Sequence, residues 1–199
     1  MSIVPFERNT LAPIAWKNGG GQTREIVRMP ADSSLETFEW RASIAEVSAD
    51  GPFSTFVGVD RIVVLLTGDG VHLRSSDGRI DHRLGDALVP FAFAGESSIA
   101  ASVIGGASSD FNVMTRRATT RAEARVVVAS ETLVECSAGV LFAARGRWDV
   151  RSVESDSRSF SLESNSGLWW DGERIAWELT PRTAADALIA VRVHRTMDR

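Results

Sequence analysis

Residues 61–70 read RIVVLLTGDG, a short apolar segment followed at once by the turn signal Gly68-Asp69-Gly70. The same arrangement recurs along the chain, where short apolar or alternating segments are separated by glycine-containing turns. Segments of this kind, with turns about every 8–12 residues, are typical of a β-sandwich or a β-barrel. The pattern therefore predicts an all-β fold with little helix.

The segments on either side extend the same pattern. They are ALVPFAF (87–93), SIAASVI (98–104), GVLFAAR (139–145), RIAWELT (174–180) and ALIAVRVHR (187–195), with a further turn signal at Asp171-Gly172. The best candidate for a helix is TTRAEAR (119–125). The two halves resemble each other weakly in pattern, as in LLTGDGVHL and LFAARGRWDV, which indicates two copies of one barrel. We expect an N-terminal barrel at 1–117 and a C-terminal barrel at 118–199, packed together as one unit.

Composition narrows the class of partner. The chain has 199 residues, 44% of them hydrophobic, and a net charge of −4, which argue for a folded core and against a nucleic-acid or anionic-membrane partner. Its single cysteine, Cys136, excludes an internal disulfide and is read as a buried hydrophobe. The N-terminal sequence lacks the features of a signal peptide, and no apolar run could span a bilayer. We expect a cytoplasmic protein.

Three consecutive glycines in WKNGGGQTREI (16–26) are unusual for a surface loop. A phosphate loop is excluded because Lys17, the only lysine of the chain, precedes the glycines. The following residues alternate like a strand, and Asn18-Gly19 suits a hairpin turn because both residues tolerate positive φ. A plain hairpin turn and the wall of a pocket both remain open. The polar residues that favour a pocket are Lys17, Asn18, Thr23 and Glu25.

Two other segments place polar side chains on strands. In FEWRASIAEV (38–47), period-2 alternation puts Arg41 and Ser43 on one face. That face is either solvated or the interior of a barrel, where Arg41 would need an anionic partner. In DFNVMTRR (110–117), Asp110 and Asn112 share a face opposite Phe111, and they either face outward or line a cavity.

Standard catalytic and metal motifs are absent from the sequence. His72, His82 and His194 have no metal-site spacing, and there is no nucleophile elbow. We therefore expect neither a metal nor a cofactor.

The segments WKNGGGQTREI, FEWRASIAEVSADGPFSTF and DFNVMTRR, in that order and spacing, resemble the HutD/Ves family. The likeness is clear over residues 16–117 and departs at Val57, where the family usually has proline. The resemblance implies two fused cupin β-barrels, a bicupin, with the ligand pocket in the N-terminal one. The paired histidines and glutamate of the usual cupin metal motif would fall in GDGVHLRSSDGRIDH (68–82), where only His72 and His82 occur.

The resemblance also implies a role. The protein would bind a carboxylate intermediate of histidine utilisation, such as N-formylglutamate or urocanate, and limit flux without catalysing a reaction. The glycine run is then interpreted as a pocket wall. The candidate ligand-binding residues are Trp16, Lys17, Asn18, Gly19, Gly20, Thr23, Glu25, Arg41, Ser43, Asp110 and Asn112.

Two alternatives belong to other functional classes. A metal-independent isomerase or lyase could use Glu25 or Asp110 as a general base beside Lys17 or Arg41. An interaction module could use the tryptophans, with Trp169 and Trp170 adjacent, as an apolar patch for a homodimer. Adjacent residues of a strand face opposite ways, so one of that pair is expected in the core.

Overall fold

The computed structural model describes residues 2–153 and 157–196. Within these ranges the regular elements are β-strands and a single 3-10 helix at Arg8–Thr10, which confirms the all-β prediction. The described part of the chain contains no helix with the length and apolar character needed to cross a bilayer. The chain divides into two compact units, residues 11–121 and residues 2–10 with 122–196. We call them the N-terminal barrel and the C-terminal unit.

The N-terminal barrel consists of two antiparallel sheets. Its strands are β2 (Pro13–Ala15), β3 (Gly21–Met29), β4 (Trp40–Val47), β5 (Gly51–Pro52), β6 (Val59–Thr67), β7 (Val71–Ser75), β8 (Asp81–Leu84), β9 (Pro90–Ala94), β10 (Ile99–Val103) and β11 (Ser108–Arg116). In residues 11–121, all of which are described, they form a six-stranded sheet, β2-β3-β4-β11-β6-β9, and a four-stranded sheet, β5-β10-β7-β8. Apolar residues from both sheets share one buried core, including Val63, Leu65, Leu73 and Ile99.

The C-terminal unit is built on one larger sheet. Its strands are β1 (Ser2–Glu7), β12 (Thr120–Val127), β13 (Glu131–Arg145), β14 (Trp148–Ser152), β15 (Ser159–Leu162), β16 (Ser166–Pro181) and β17 (Ala187–Arg195). Among the described residues the sheet order is β12-β17-β13-β16-β14-β15, and β1 pairs with β16. Its core is apolar and includes Leu141, Trp148, Trp170 and Trp177.

Two details differ from the sequence-based expectations. The helix considered at 119–125 is wrong: these residues belong mainly to β12, in which inner and exposed positions alternate with period 2. The first strand, β1, pairs in register with β16, so residues 2–10 lie in the C-terminal unit rather than in the N-terminal barrel expected at 1–117. The outer limits of the two expected ranges, residues 1 and 199, lie outside the described residues.

Candidate functional site

The inner face of the six-stranded sheet carries the polar side chains of interest. Val47, Val63 and Leu65 of that sheet pack into the core shared with the four-stranded sheet. Because side chains alternate along a strand, residues separated from these by an even number of positions on β4 and β6 face the same way. The side chains of Arg41, Ser43 and Arg61 therefore lie inside the barrel.

Strand register arranges these side chains in rows across the sheet, since directly paired residues lie on the same face. The rows, read from β3 through β4 and β11 to β6 and β9, are Arg28-Arg41-Met114-Arg61-Phe93, Glu25-Ser43-Asn112-Val63-Phe91 and Thr23-Ala45-Asp110-Leu65. We call the charged and amide or hydroxyl members of the first two rows, together with Asp110, the polar cluster. It comprises Glu25, Arg28, Arg41, Ser43, Arg61, Asp110 and Asn112.

Glu25 holds one end of the polar cluster together. Its Oε2 atom accepts a hydrogen bond from Arg41 Nε at 2.6 Å, and its Oε1 atom lies 3.4 Å from Arg28 Nε. The other arm of Arg41 reaches Met114, with Nη1 3.8 Å from the sulfur. Arg41 is buried, so the open question about its face is settled in favour of the barrel interior. Its Nε atom is therefore already hydrogen-bonded to a carboxylate of the protein.

Arg61 is held differently. Its guanidinium carbon lies 5.2, 5.9 and 5.1 Å from the ring centres of Phe53, Phe56 and Phe93, a cation–π arrangement. Its Nη1 atom donates to the Ser54 carbonyl at 3.4 Å. The side chain is buried, yet its Nε atom has no hydrogen-bond partner among the described residues. Leaving a buried donor unpaired costs about 1–3 kcal/mol, and more when the group is charged.

The charges of Arg61 and Asp110 influence each other inside the barrel. Burial lowers the pKa of Arg61 to about 10, while the charge of Asp110 acts to raise it and that of Arg41 to lower it. Burial raises the pKa of Asp110 to about 7, against the effect of Arg61. The arginines Arg28, Arg41 and Arg61 outnumber the carboxylates Glu25 and Asp110 in the polar cluster. The interior is therefore net positive.

A hydroxyl and an amide complete the polar cluster. Ser43 and Asn112 are direct partners in the β4–β11 register. Both are buried, and within the described ranges Ser43 Oγ and Asn112 Oδ1 have no hydrogen-bond partner. A hydroxyl can donate or accept, whereas an amide oxygen only accepts. Together with Arg61 Nε they offer unused donors and an unused acceptor on one inner face.

The glycine run forms the hairpin turn between β2 and β3. Gly19 has φ of +70°, and Trp16 N donates to Gly21 O at 2.9 Å. A Cβ atom at Gly21 would lie 2.1 Å from the Glu46 carbonyl oxygen, so this position needs glycine for close approach to β4. The Trp16 indole Nε1 atom donates to Thr23 Oγ1 at 2.8 Å. These two predicted residues support the barrel wall and bond to each other.

The remaining predicted residues of the run belong to the turn itself. Lys17 is exposed, and the described residues give its side chain neither a hydrogen bond nor an ion pair. Asn18 is exposed and accepts a hydrogen bond from Gly20 N at 3.1 Å through its Oδ1 atom, a local turn contact. Gly20 is buried, and its carbonyl accepts from Ser48 N at 2.9 Å. The structure does not bring Lys17, Asn18 or Gly19 into the polar cluster.

Arg61 and Arg28 are the members of the polar cluster that the sequence reasoning missed. The segment RIVVLLT (61–67) was interpreted only as a short apolar segment between turns, and Arg61 was not singled out. A signal was nevertheless present, because Arg61 has the same parity as the buried residues Val63 and Leu65. An arginine on the apolar face of a strand is expected to be buried and to need a partner for its charge, as was argued for Arg41.

The histidines do not form a metal site. His82 is paired with Leu73, while His72 is paired with Arg83, so the two histidines face opposite sides of the sheet. His72 Nε2 lies 2.5 Å from Asp81 Oδ1, and His82 stacks on Phe91 with ring centres 3.7 Å apart. Over residues 2–153 and 157–196, no group of three or more His, Cys, Asp or Glu side chains could hold a metal ion. The donor set of a cupin metal centre does not fit these residues.

In the described part of the C-terminal unit, the residues that form the core cluster are apolar. Its surface carries a depression of about 340 Å³ lined by β14, β15 and β16, in which Arg151 and Glu178 pair at 2.5 Å. Burial raises the pKa of the Cys136 thiol to about 11, so it is not a thiolate nucleophile at neutral pH. Trp170 is fully buried, as expected for one of the adjacent tryptophans, and so are Trp148 and Trp177. These three tryptophans therefore cannot contribute to an apolar patch on the surface.

Comparison with known sequences identifies relatives of this chain. The sequence model of the HutD family matches residues 8–189. Protein Ves of Escherichia fergusonii is 38% identical over 160 residues, which cover 79% of this chain and 78% of that protein.

Two solved structures match over nearly the whole length. A conserved protein of unknown function from Pseudomonas aeruginosa is 30% identical with a TM-score of 0.85, covering 97% of this chain and 99% of that one. HutD from Pseudomonas fluorescens, determined in a formate condition, is 26% identical with a TM-score of 0.81, covering 98% and 99%. With more distant structural matches, these confirm the predicted bicupin fold.

Proposed function

Since the chain belongs to the HutD family, we propose that its N-terminal barrel binds a small carboxylate and that the protein regulates histidine utilisation without turning the ligand over. N-formylglutamate is the first ligand to test, and urocanate is the second. The P. fluorescens HutD structure was determined in a formate condition, and formate is the smallest carboxylate. It therefore serves as a minimal probe.

The observation that carries this proposal is the state of Arg61. A buried cation is costly unless it is paired with an anion, and among the described residues no carboxylate lies within ion-pair distance of Arg61. Its Nε atom is unpaired and its guanidinium is fixed in place by phenylalanine rings. A carboxylate ligand would supply both the missing charge and the missing hydrogen bond.

Ser43 and Asn112 add a requirement for the rest of the ligand. The Ser43 hydroxyl can donate to an oxygen of the ligand, and Asn112 Oδ1 needs a donor. N-formylglutamate carries carboxylates and an amide N–H, and urocanate carries a carboxylate and an imidazole. Both compounds can satisfy the acceptor as well as the donors.

Titration calorimetry with N-formylglutamate tests the proposal. Arg61→Gln should weaken binding by at least about thirtyfold, because losing one partner of a buried charge pair costs roughly 2–5 kcal/mol and each 1.4 kcal/mol is tenfold. Arg61→Lys should recover only part of the affinity, since lysine lacks the Nε donor. Arg74→Gln, which changes an exposed arginine of the same unit, is the matched control and should bind like the wild type.

The uncharged analogue formamide should bind far more weakly than formate to the wild type. Two results would contradict the proposal. One is the absence of binding by all of these carboxylates, and the other is wild-type affinity in a folded Arg61→Gln variant.

An acid–base enzyme is the second candidate function, and Asp110 favours it. A buried carboxyl whose pKa is raised to about 7, on the same inner face as Arg61, suits proton transfer near neutral pH. Nuclear magnetic resonance spectra of N-formylglutamate or urocanate incubated with the protein separate the two functions. Turnover that is lost in Asp110→Asn would favour the enzyme, whereas stable binding without product would favour the regulator.

A further inference from the structure

Asp110 shares the inner face of the barrel with Arg61 but forms no ion pair with any residue that the structure describes. We propose that a carboxylate binds to Arg61 together with one proton, which the Asp110 carboxylate takes up from the buffered solvent to become a carboxylic acid. This inference rests on the proposed function. It predicts how the affinity for the carboxylate depends on pH, which the proposed function by itself does not specify.

The geometry makes the two negative charges compete. Asp110 is 4% exposed and Arg61 is 7% exposed, so little water screens them. The Asp110 row is separated from the Arg61 row only by the row of Ser43 and Asn112. An anion bound at Arg61 therefore neutralises the positive charge that favours ionised Asp110, and it adds a like charge nearby.

The other charged groups of the inner face do not relieve this competition. They are Glu25 and Arg28 on β3, Arg41 on β4 and, on β8 of the facing sheet, the histidine His82. Glu25 is engaged by Arg41 at 2.6 Å and lies 3.4 Å from Arg28 Nε. The cationic charge of Arg41 is thus largely balanced within the protein. Asp110 is left as the carboxyl that can respond to a ligand by changing its protonation state.

The direction of the effect follows from linkage. The pKa of Asp110 in the free protein is about 7, raised by burial and opposed by Arg61. A bound carboxylate weakens that opposition, so the bound protein holds the proton more tightly. Affinity must then increase as the pH falls, and N-formylglutamate should bind about tenfold more weakly at pH 8 than at pH 6. The ligand carboxylates stay ionised over this range.

Calorimetry in buffers with different ionisation enthalpies measures the proton directly. Binding of N-formylglutamate to the wild type should take up close to one proton at pH 8 and about a tenth of a proton at pH 6. Asp110→Asn should bind with no proton uptake and with equal affinity at both pH values. His82→Gln is the matched control, because it removes the histidine that the facing sheet contributes to the inner face, and it should retain the uptake.

Binding by the wild type without proton uptake at pH 8 overturns the inference while leaving the proposed function intact. Uptake that is lost in His82→Gln but kept in Asp110→Asn also overturns it. A wild type that binds no carboxylate contradicts the proposed function and this inference with it. If Asp110→Asn does not fold, carbon-13 titration of the Asp110 carboxyl in the wild type decides. Saturating N-formylglutamate should raise its pKa by at least about two units, and an unchanged pKa overturns the inference.

Discussion

Arg41 and Arg61 stand on either side of Met114 in the same row, yet their surroundings differ. Arg41 donates through Nε to Glu25, whereas Arg61 is surrounded by aromatic rings and has an unpaired Nε within the described chain. The guanidinium that is already paired within the protein organises the polar cluster. The one that is not paired is the better candidate for contact with the ligand.

Replacing Arg41 should still reduce binding, by an indirect route. Arg41→Ala removes one of the two arginines that interact with Glu25. The Glu25 carboxylate, which is then less well neutralised, would repel an anionic ligand. We expect N-formylglutamate affinity to fall by at least about thirtyfold, with partial recovery in Arg41→Lys. Calorimetry on folded protein provides the measurement. The double variant Arg41→Ala/Glu25→Gln should regain part of the loss, and unchanged affinity in Arg41→Ala would refute this role.

Asp110 should also make stability depend on pH. The folded protein keeps this carboxyl protonated up to about pH 7, whereas the unfolded chain releases the proton near the ordinary aspartate pKa of about 3.9. Between these values the folded state binds more protons, so its free energy of unfolding falls as the pH rises, and above about pH 7 this contribution is constant. Asp110→Asn removes the effect.

Urea unfolding at pH 5 and pH 8 measures this contribution. Relative to the wild type, Asp110→Asn should gain about 2 kcal/mol of stability between the two pH values. Asp32→Asn changes an exposed carboxyl and is the control, for which no such gain is expected. An Asp110→Asn variant whose stability relative to wild type is the same at pH 5 and pH 8 would contradict a buried, protonated Asp110.

For individual residues, the sequence was sufficient to predict part of the polar cluster. Period-2 alternation was enough to place Arg41 and Ser43 on one face, because both lie on a single strand. The importance of Arg61 depends on Phe53 and Phe93, which come from separate segments and meet only in the folded barrel. Lys17 shows the reverse case, since proximity in sequence to the glycines did not bring its side chain inside.

Among the elements, the β2–β3 hairpin illustrates why glycine is needed at one position of the run. Gly21→Ala would place a Cβ atom 2.1 Å from the Glu46 carbonyl oxygen and 3.1 Å from the Trp16 ring, which forces β3 away from β4. We expect a loss of about 1–3 kcal/mol in the free energy of unfolding, measured by urea unfolding. Gly106→Ala, where a Cβ atom would meet nothing within 4 Å, should change stability by less than about 0.5 kcal/mol.

A Gly21→Ala variant as stable as Gly106→Ala would show that the hairpin is loosely packed. It would also weaken the interpretation of Trp16 and Thr23 as supports of the barrel wall.

Strands were predicted correctly where apolar segments were short. The prediction failed where a glycine at positive φ forms a bulge within a strand instead of a turn. ALIAVRVHR (187–195) coincides with β17. The turn signal Asp171-Gly172, in contrast, lies inside the long strand β16, where Gly172 has φ of +83° and the pairing with β13 shifts register nearby. A glycine at positive φ produces a β-bulge as readily as a turn, and the local sequence does not distinguish them.

For the whole molecule, two barrels could be inferred from the weak repeat, but their boundaries could not. The pairing of β1 with β16 joins residues at opposite ends of the sequence. No local pattern records such a pairing, because strand partners are selected by packing over long sequence separations. The all-β class, by contrast, follows from alternation within each strand and was confirmed.

A crystal structure of the protein with N-formylglutamate is the most direct test of carboxylate binding in the N-terminal barrel. We predict a ligand carboxylate oxygen about 2.7–3.2 Å from Arg61 Nε, with Ser43 and Asn112 in contact with the same molecule. A ligand bound outside the barrel, or held by Lys17 while Arg61 Nε stays unpaired, would contradict the proposal.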